Sequence, residues 1–322
     1  MITTAQSIPE TRTDELSDLI NRKGTPLYPD KNGIPSIVNQ SFFAAYTIHS
    51  LGLKRDHGSN WRHYNPETGL WNKVPPAELL RLISSQLLDF SRKNNVPSLA
   101  AKRSASLCRE ILSFMDGESS EAFLLPMRRR NVIHTGNGMV EIAPDGSMTF
   151  RPFAREYYSC TRTPYQYDPE AKCPNFLNKL LAPCMSQDDI DCLQLYVGQC
   201  LLGVNLAQMF MMLTGTPGSG KSTLVNVIEK LISRENCTEL RLEQMAERFE
   251  MNRLRGKTLL TGKDVKSYFL TSRGAYKLKA LIGGDVLTTE AKGSNEAFDI
   301  PGEFNVIITA NSNLTVDIDS DN

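Results

Sequence analysis

Residues 210–228 read FMMLTGTPGSGKSTLVNVI, and this stretch decides the fold of the second part of the chain. A short apolar run leads into a glycine-rich turn, and apolar residues at helical spacing follow the turn. Gly215, Gly220, Lys221 and Ser222 satisfy the pattern G-x-x-x-x-G-K-[ST]. The order of strand, loop and helix is typical of a site for a nucleoside triphosphate. The alternative is a glycine turn between two core elements that binds nothing.

The loop is predicted to hold the phosphates of ATP together with Mg²⁺. Its glycines let successive backbone N–H groups point at the β-phosphate, with the positive end of the helix behind them. Lys221 would reach the β- and γ-phosphates, and the Ser222 hydroxyl would be a Mg²⁺ ligand. The residues predicted to bind the nucleotide are Gly215, Thr216, Gly218, Ser219, Gly220, Lys221, Ser222 and Thr223.

Composition is that of an ordinary globular protein with no overall charge bias. The chain has 322 residues, with 36 basic and 36 acidic side chains, so net charge does not indicate a nucleic-acid partner. Residues 253–279 carry a local basic excess, which is either a solvated face or a surface that meets phosphates. Seven cysteines without a C-x-x-C pair predict free thiols in a reducing compartment. With no signal peptide and no apolar run long enough to span a bilayer, we expect a cytoplasmic protein.

Turn residues and apolar periodicity divide the chain into three parts. We predict a flexible leader over residues 1–38 that carries one short helix over 13–21, a mostly helical α+β collar domain over 39–204, and an α/β domain with a mostly parallel sheet over 205–322. Within the collar, helices are expected over 78–94 and from 97 to 115. The aromatic stretch 61–71 predicts a hairpin, which either packs on its own helices or stacks on nucleic-acid bases.

Several segments before the loop resemble a known family. They are Asn137-Gly138-Met139-Val140-Glu141-Ile142, then Tyr165-Gln166-Tyr167-Asp168-Pro169, then Cys173-Pro174, and a helix that ends Gly198-Gln199-Cys200-Leu201-Leu202. This order is similar to the collar before the motor of superfamily 3 helicases, the poxvirus-type and bacteriophage primase-helicases. The resemblance covers about residues 130–316 and, weakly, the helical region before them.

Two motifs after the loop extend the resemblance and imply catalytic residues. Residues 254–264, LRGKTLLTGKD, match the strand that ends in an acid, so Asp264 would lie beside the phosphate loop and hold Mg²⁺ or orient the attacking water. Val265 stands where many AAA+ relatives carry a second carboxylate, which leaves the general base open. Residues 304–311, FNVIITAN, match the sensor strand, so Asn311 would contact the γ-phosphate and water. The alternative without a catalytic role is that Asp264 and Asn311 are turn residues at strand ends.

A third motif, residues 279–293, is similar to the family's GGD segment and the hairpin that enters the central channel of the ring. Lys292 and Gly293 match the hairpin tip and would contact single-stranded DNA, with the ammonium gripping phosphates without sequence preference. The alternative is a lysine in a surface loop.

The resemblance implies a phosphate-loop, AAA+-like α/β motor behind the collar. It further implies an ATP-dependent DNA helicase, hexameric when complete, that acts at the replication fork of a phage, plasmid or other mobile element. Such a protein would work in the cytoplasm of a bacterial host, and a separate primase is a possible partner. The catalytic residues implied are Lys221, Asp264 and Asn311, and the metal ligands are Ser222 and Asp264.

The sequence ends at Asn322, shortly after the sensor. In the family, an arginine that completes a neighbour's site lies downstream, so this C-terminally truncated chain is expected to bind ATP, hydrolyse it weakly and assemble incompletely. Two other function classes share features of the chain. One is a replication initiator or loader fragment that binds ATP and DNA without efficient hydrolysis, and the other is a small-molecule phosphotransferase.

Overall fold

The computed structural model describes residues 13–56, 60–118, 120–245, 247, 250–272, 274–290 and 297–315. The chain forms two compact units, Met1–Met127 and Arg128–Asn322. Each unit has its own hydrophobic core. Within the described part of the chain, no helix is both long and apolar enough to cross a membrane.

The first unit is built from helices with two small antiparallel sheets. Its helices are α1 (Thr13–Lys23), α2 (Gln40–Leu51), α3 (Pro76–Lys93), α4 (Pro97–Lys102) and α5 (Ala105–Asp116). Its strands are β1 (Leu27–Pro29), β2 (Pro35–Val38), β3 (Lys54–Arg55), β4 (Trp61–Asn65) and β5 (Leu70–Lys73). Strands β1 and β2 pair with each other, and β3, β4 and β5 form a three-stranded sheet.

Helix α2 is the centre of the first unit, because it is buried on nearly all sides. The rings of Phe42, Phe43, Tyr46 and Phe90 pack at centroid distances of 5.1–6.3 Å. The Asn39 side chain caps the helix by accepting a hydrogen bond from the Phe42 N–H at 3.1 Å. An α-helix with apolar residues all round is the expected core element of such a unit.

The structure corrects two predictions for this unit and decides between the two alternatives given for the aromatic hairpin. The short helix expected over residues 13–21 is present as α1, but residues 13–38 are not otherwise a flexible leader, because α1 and the β1–β2 hairpin place Leu19 and Val38 in the core. The helix predicted from 97 to 115 is two helices, because the Ser104 side chain caps a new start at α5. Trp61 and Trp71 are buried at 2% and 0% exposure, so they pack inside the protein and cannot stack on bases.

The second unit contains two antiparallel sheets and one parallel sheet. Its helices are α6 (Gln187–Leu202), α7 (Lys221–Ile232) and α8 (Tyr276–Gly283). Its strands are β6 (Val132–His134), β7 (Met139–Ile142), β8 (Met148–Arg151), β9 (Met211–Thr214), β10 (Cys237–Glu239), β11 (Leu259–Val265), β12 (Val286–Glu290), β13 (Ala297–Pro301) and β14 (Asn305–Ala310).

The parallel sheet has the strand order β10-β11-β14-β9. All six residues of β14 are buried, as expected for a parallel strand covered on both faces. Alternate residues enter separate cores: Val306 and Ile308 pack with α8, whereas Ile307 packs with α6 and α7. The chain is therefore mixed α/β, and all four strands end at the same edge of the sheet, where polar side chains follow.

The predicted domain boundary at 204/205 differs from the division that the structure shows after Met127. Residues 128–204 belong to the second unit because they bond directly to its sheet and helices. The Tyr196 hydroxyl lies 2.8 Å from the Val306 carbonyl, the Thr163 hydroxyl donates to the Leu231 carbonyl at 2.5 Å, and Arg130 pairs with Glu303 at 2.6 Å.

Candidate nucleotide site

The loop between β9 and α7 has the backbone conformation that its glycines allow. Gly218 and Gly220 have φ values of 80° and 87°, a region that side chains with a Cβ rarely adopt. A Cβ on Gly215 would lie 3.3 Å from the Ser219 hydroxyl, so this glycine keeps the interior of the loop open. The loop is thus a concave backbone turn at the start of a three-turn helix, where backbone N–H groups favour anions.

Lys221 ties the loop to the neighbouring strand. Its Nζ lies 2.8 Å from the Gly215 carbonyl, 2.9 Å from the Thr216 carbonyl and 3.3 Å from the Ser219 hydroxyl. The same Nζ donates to the Asn311 Oδ1 at 2.9 Å. Two residues predicted separately, 90 positions apart, therefore meet in one place.

The remaining predicted nucleotide-binding residues surround this contact. Ser222 and Thr223 lie in the first turn of α7, with Ser222 half-buried and Thr223 exposed. Thr216 and Ser219 are exposed on the loop. Ser222 could therefore present its hydroxyl to a cation beside bound phosphates.

Asp264 lies at the same edge of the sheet, but β14 separates its strand from the phosphate loop. The register between β11 and β14 shifts at residues 262–265, and Asp264 takes a positive φ of 50°. Its backbone N–H donates to the buried Thr309 hydroxyl at 2.8 Å, while its side chain is exposed. Among the described contacts, none joins Asp264 to Lys221 or Ser222, so the aspartate is one strand further from the loop than the sequence-based prediction assumed.

A charged cluster that sequence reasoning missed links the phosphate-loop helix to the Asp264 strand. Glu229 on α7 receives hydrogen bonds from the Thr261 hydroxyl at 2.7 Å and the Lys263 ammonium at 2.9 Å. Lys263 also donates to the Asn226 Oδ1 at 2.8 Å. Side chains alternate between the two faces of β11, so Thr261 and Lys263 both lie on the face towards α7. This spacing could have indicated the cluster from the sequence once the strand was known.

Strands β12 and β13 form the antiparallel hairpin predicted for the GGD segment. Gly284 ends α8 with a φ of 87°, and its N–H donates to the Gly302 carbonyl at 2.9 Å. Lys292 and Gly293, the predicted DNA contacts, lie outside the described residues.

The basic stretch 253–279 is largely engaged within the second unit. Arg253 pairs with Glu250, Lys257 donates to the Glu235 carbonyl at 2.6 Å, and Lys277 donates to the Met245 carbonyl at 2.6 Å. These three side chains therefore have partners within the unit: an acid for Arg253, and backbone carbonyls for the two lysines.

Two family matches cover separate parts of the chain. Residues 52–182 match the family described as D5 N terminal like, and residues 213–322 match a family of unknown function, DUF5906. No curated protein is similar enough to count as a match.

Solved structures of the NrS-1 C-terminal region in the apo state are also similar to this chain. Three of them are 18–20% identical, with TM-scores of 0.37–0.39. The match covers 48–49% of this chain and 36–40% of theirs, so it spans less than half the length of those proteins. At this level of similarity the NrS-1 structures support no conclusion about mechanism. Residues 52–182 make up less than half of the chain, so this match shows a similarity and does not assign the chain to a family.

Proposed function

We propose that the second unit is the ATP-hydrolysing motor of a DNA helicase of superfamily 3 type. The observation that carries the proposal is the 2.9 Å contact between Lys221 Nζ and Asn311 Oδ1 at the carboxyl edge of the parallel sheet. A glycine-rich turn, a lysine and a strand-end amide meet there, at the edge where α/β sheets bind ligands. The match to the D5 N terminal like family agrees with a role in DNA replication.

Each residue then has a defined task. Lys221 would exchange the carbonyls of Gly215 and Thr216 for the β- and γ-phosphates of ATP and neutralise the charge that develops on transfer. The Asn311 amide, held next to that ammonium, would orient the attacking water. The Ser222 hydroxyl and the Asp264 carboxylate would hold Mg²⁺, which prefers hard oxygen ligands and would supply positive charge beside the phosphates.

From its position, Asp264 would bind the metal through water rather than directly. Neighbouring strands lie about 4.8 Å apart, so the end of β11 is roughly 10 Å from the end of β9. Mg²⁺ usually keeps several waters, which can span the remaining distance. Val265 offers no carboxylate, so the general base stays open.

The DNA-directed part of the proposal concerns the β12–β13 hairpin and the assembly. Lys292 and Gly293, which stand between the two strands in the sequence, would contact single-stranded DNA, and six copies would form the ring in the complete protein. A separate primase as partner belongs to the same proposal.

Nucleotide binding and single-turnover hydrolysis of labelled ATP test the proposal. We expect Lys221→Ala to weaken ATP binding, and Asp264→Ala and Asn311→Ala to slow hydrolysis about 10²-fold while ATP still binds. Lys230→Ala, at the exposed far end of the same helix, is the matched control and should leave both unchanged. Wild-type behaviour of all three site variants would refute the site. ATP binding and DNA binding without any single-turnover hydrolysis would favour the initiator or loader fragment instead.

A further inference from the structure

The face of α7 that looks towards β11 carries three polar side chains in line. Ser222, Asn226 and Glu229 stand at positions i, i+4 and i+7 of the helix, and this spacing puts all three on one face. Ser222, in the first turn, is one of the two residues proposed to hold the metal. Asn226 and Glu229 lie about one and two turns further along, so their partners on β11 are held at a fixed place relative to Ser222.

Lys263 of β11 bonds to this face with all of its hydrogen-bonding capacity. Its Nζ lies 2.8 Å from the Asn226 Oδ1, 2.8 Å from the Glu229 Oε1 and 2.9 Å from the Glu229 Oε2. A lysine ammonium has three donors, so α7 supplies an acceptor for each of them. To hold a phosphate of a nucleotide or of DNA, Lys263 would have to give up these contacts.

The contact between Lys263 and Glu229 is partly shielded from water and is shared with a second residue of the strand. The Glu229 side chain is 13% exposed and the Lys263 side chain is 33% exposed. The Thr261 hydroxyl, two residues earlier on β11, donates to the Glu229 Oε1 at 2.7 Å. Hydrogen bonds between charged groups are stronger than neutral ones, and solvent screens a partly buried pair less than an exposed one. The end of β11 is therefore fixed against α7.

Asp264, the other residue proposed to hold the metal, comes directly after Lys263. Its carboxylate is exposed, so the place of that carboxylate follows the path of the backbone. At this residue the chain turns with a φ of 50°, and the Asp264 N–H donates to the Thr309 hydroxyl at 2.8 Å. The backbone at Asp264 thus has one anchor on β14, through Thr309, and a second on α7, through Lys263.

We propose that Lys263 is a positioning residue, which sets the distance between Asp264 and Ser222 by bonding to Asn226 and Glu229. The inference rests on the proposed function, because it takes Asp264 and Ser222 to hold Mg²⁺ beside bound phosphates. Groups that orient metal ligands typically contribute about 10–100-fold to metal affinity or activity. Neither the phosphate-loop motif nor the family resemblance gives a role to Lys263, Asn226 or Glu229.

Binding of the non-hydrolysable ATP analogue AMP-PNP, measured by calorimetry in Mg²⁺ and in EDTA, tests the inference. We expect Lys263→Met to raise the Kd in Mg²⁺ about tenfold and to leave the Kd in EDTA unchanged, because only the metal-dependent part of binding is lost. Lys263→Arg keeps the charge and should restore most of the affinity. An equal rise of the Kd in both conditions would overturn the inference.

The matched control is Lys257→Met. Lys257 also uses its ammonium within the unit, where it donates to the Glu235 carbonyl at 2.6 Å, but it stands before the opposite end of β11. Both Kd values should stay at those of the wild type. A shift in Mg²⁺ equal to that of Lys263→Met would show that loss of any such lysine contact is sufficient, and would also overturn the inference.

Single-turnover hydrolysis of ATP by Lys263→Met, Asp264→Ala and the double variant shows whether Lys263 acts through Asp264. If it does, the double variant should be no slower than Asp264→Ala alone, whereas losses that multiply would refute the positioning role. If circular dichroism shows that Lys263→Met does not fold, Glu229→Gln takes its place, because the amide keeps the shape of the side chain and removes the ion pair.

The same measurements separate this inference from the proposed function. Wild-type behaviour of Lys263→Met beside a slow Asp264→Ala refutes the positioning role and leaves the proposed site standing. If Mg²⁺ does not strengthen the binding of AMP-PNP to the wild type, or if Asp264→Ala hydrolyses ATP at the wild-type rate, the proposed metal site itself fails.

Discussion

Replacing Tyr196 with phenylalanine should destabilise the second unit by a predictable amount. Tyr196 is 6% exposed, and its hydroxyl donates to the Val306 carbonyl and accepts from the Val306 N–H, both at 2.8 Å. The pairing of β14 with β9 begins only at Ile307, one residue after Val306. The Tyr196 hydroxyl therefore serves as the hydrogen-bond partner of the buried Val306 backbone. Burial raises the pKa of the Tyr196 phenol far above its usual range, so the hydroxyl keeps its proton at ordinary pH.

The magnitude follows from the groups left without a partner. A buried polar group that loses its hydrogen bond costs about 1–3 kcal/mol, so we expect Tyr196→Phe to lower the free energy of unfolding by about 2 kcal/mol. For a unit of this size, the Tm should fall by roughly 4–8 °C. Tyr165→Phe is the matched control because Tyr165 is 52% exposed, and it should change stability by less than about 0.5 kcal/mol.

Urea unfolding followed by two probes measures the effect. The chain has two tryptophans, Trp61 and Trp71, and both lie in the first unit. Tryptophan fluorescence therefore reports the first unit, whereas far-UV circular dichroism reports both. The transition seen by dichroism should shift to lower urea in Tyr196→Phe. A loss no larger than that of Tyr165→Phe would show that the hydroxyl contributes nothing to the sheet.

Three further predictions concern backbone contacts and pH. A Cβ at Gly302 would lie 1.8 Å from a helix carbonyl, so Gly302→Ala should lower the free energy of unfolding, measured in urea, by more than about 2 kcal/mol. Gly198 lies in a helix with open space around it, so the control Gly198→Ala should raise the free energy of unfolding by about 0.5–1 kcal/mol. Burial alone would raise the pKa of Asp56, but the hydrogen bonds and ion pair that its carboxylate receives outweigh burial and hold the pKa below 3.8. Because the folded pKa of Asp56 is depressed, this stabilisation is present above about pH 4 and is lost as pH falls through the folded pKa. The stability that tryptophan fluorescence reports should therefore fall less steeply between about pH 5 and about pH 2 in Asp56→Asn than in the wild type. An unchanged slope would contradict this role of Asp56. Thr309→Val removes the acceptor of the Asp264 N–H, so it should slow single-turnover ATP hydrolysis more than it weakens ATP binding, and an equal effect on both would argue against a positioning role.

The sequence predicts those parts of the site that depend on local pattern. The strand, the glycine turn and the helix around Lys221 are contiguous in the chain, and the buried strand before Asn311 has an unmistakable apolar run. The contacts that hold the site together are not local. Tyr196 meets Val306 across 110 positions, and the Glu229 cluster depends on which side of β11 faces α7. No periodicity in a single segment contains that information.

The leader shows a different limit of sequence reasoning. Residues 13–38 are polar and contain prolines, which predicts a flexible segment. Their burial depends on a few apolar positions, among them Leu19 and Val38, and on the Asn39 side chain. That side chain donates to the Lys23 and Thr25 carbonyls at 2.9 Å each, which fixes the path of the chain between α1 and the hairpin. Average composition does not reveal such point contacts.

Strand β14 organises the candidate site more than the phosphate loop does. At its end, Asn311 contacts Lys221 on one side, and two residues earlier the Thr309 hydroxyl receives the Asp264 N–H on the other. Strands of a parallel sheet hold fixed spacings, so this one strand sets the separation between the loop that would bind phosphate and the carboxylate that would act on metal or water. The Thr309 hydroxyl accepts the N–H of Asp264 and so supports its positive φ, a conformation that strains a non-glycine backbone. A displacement of β14 would therefore move the contacts of Lys221 and Asp264 together, which makes it an element through which the two halves of the candidate site are coupled.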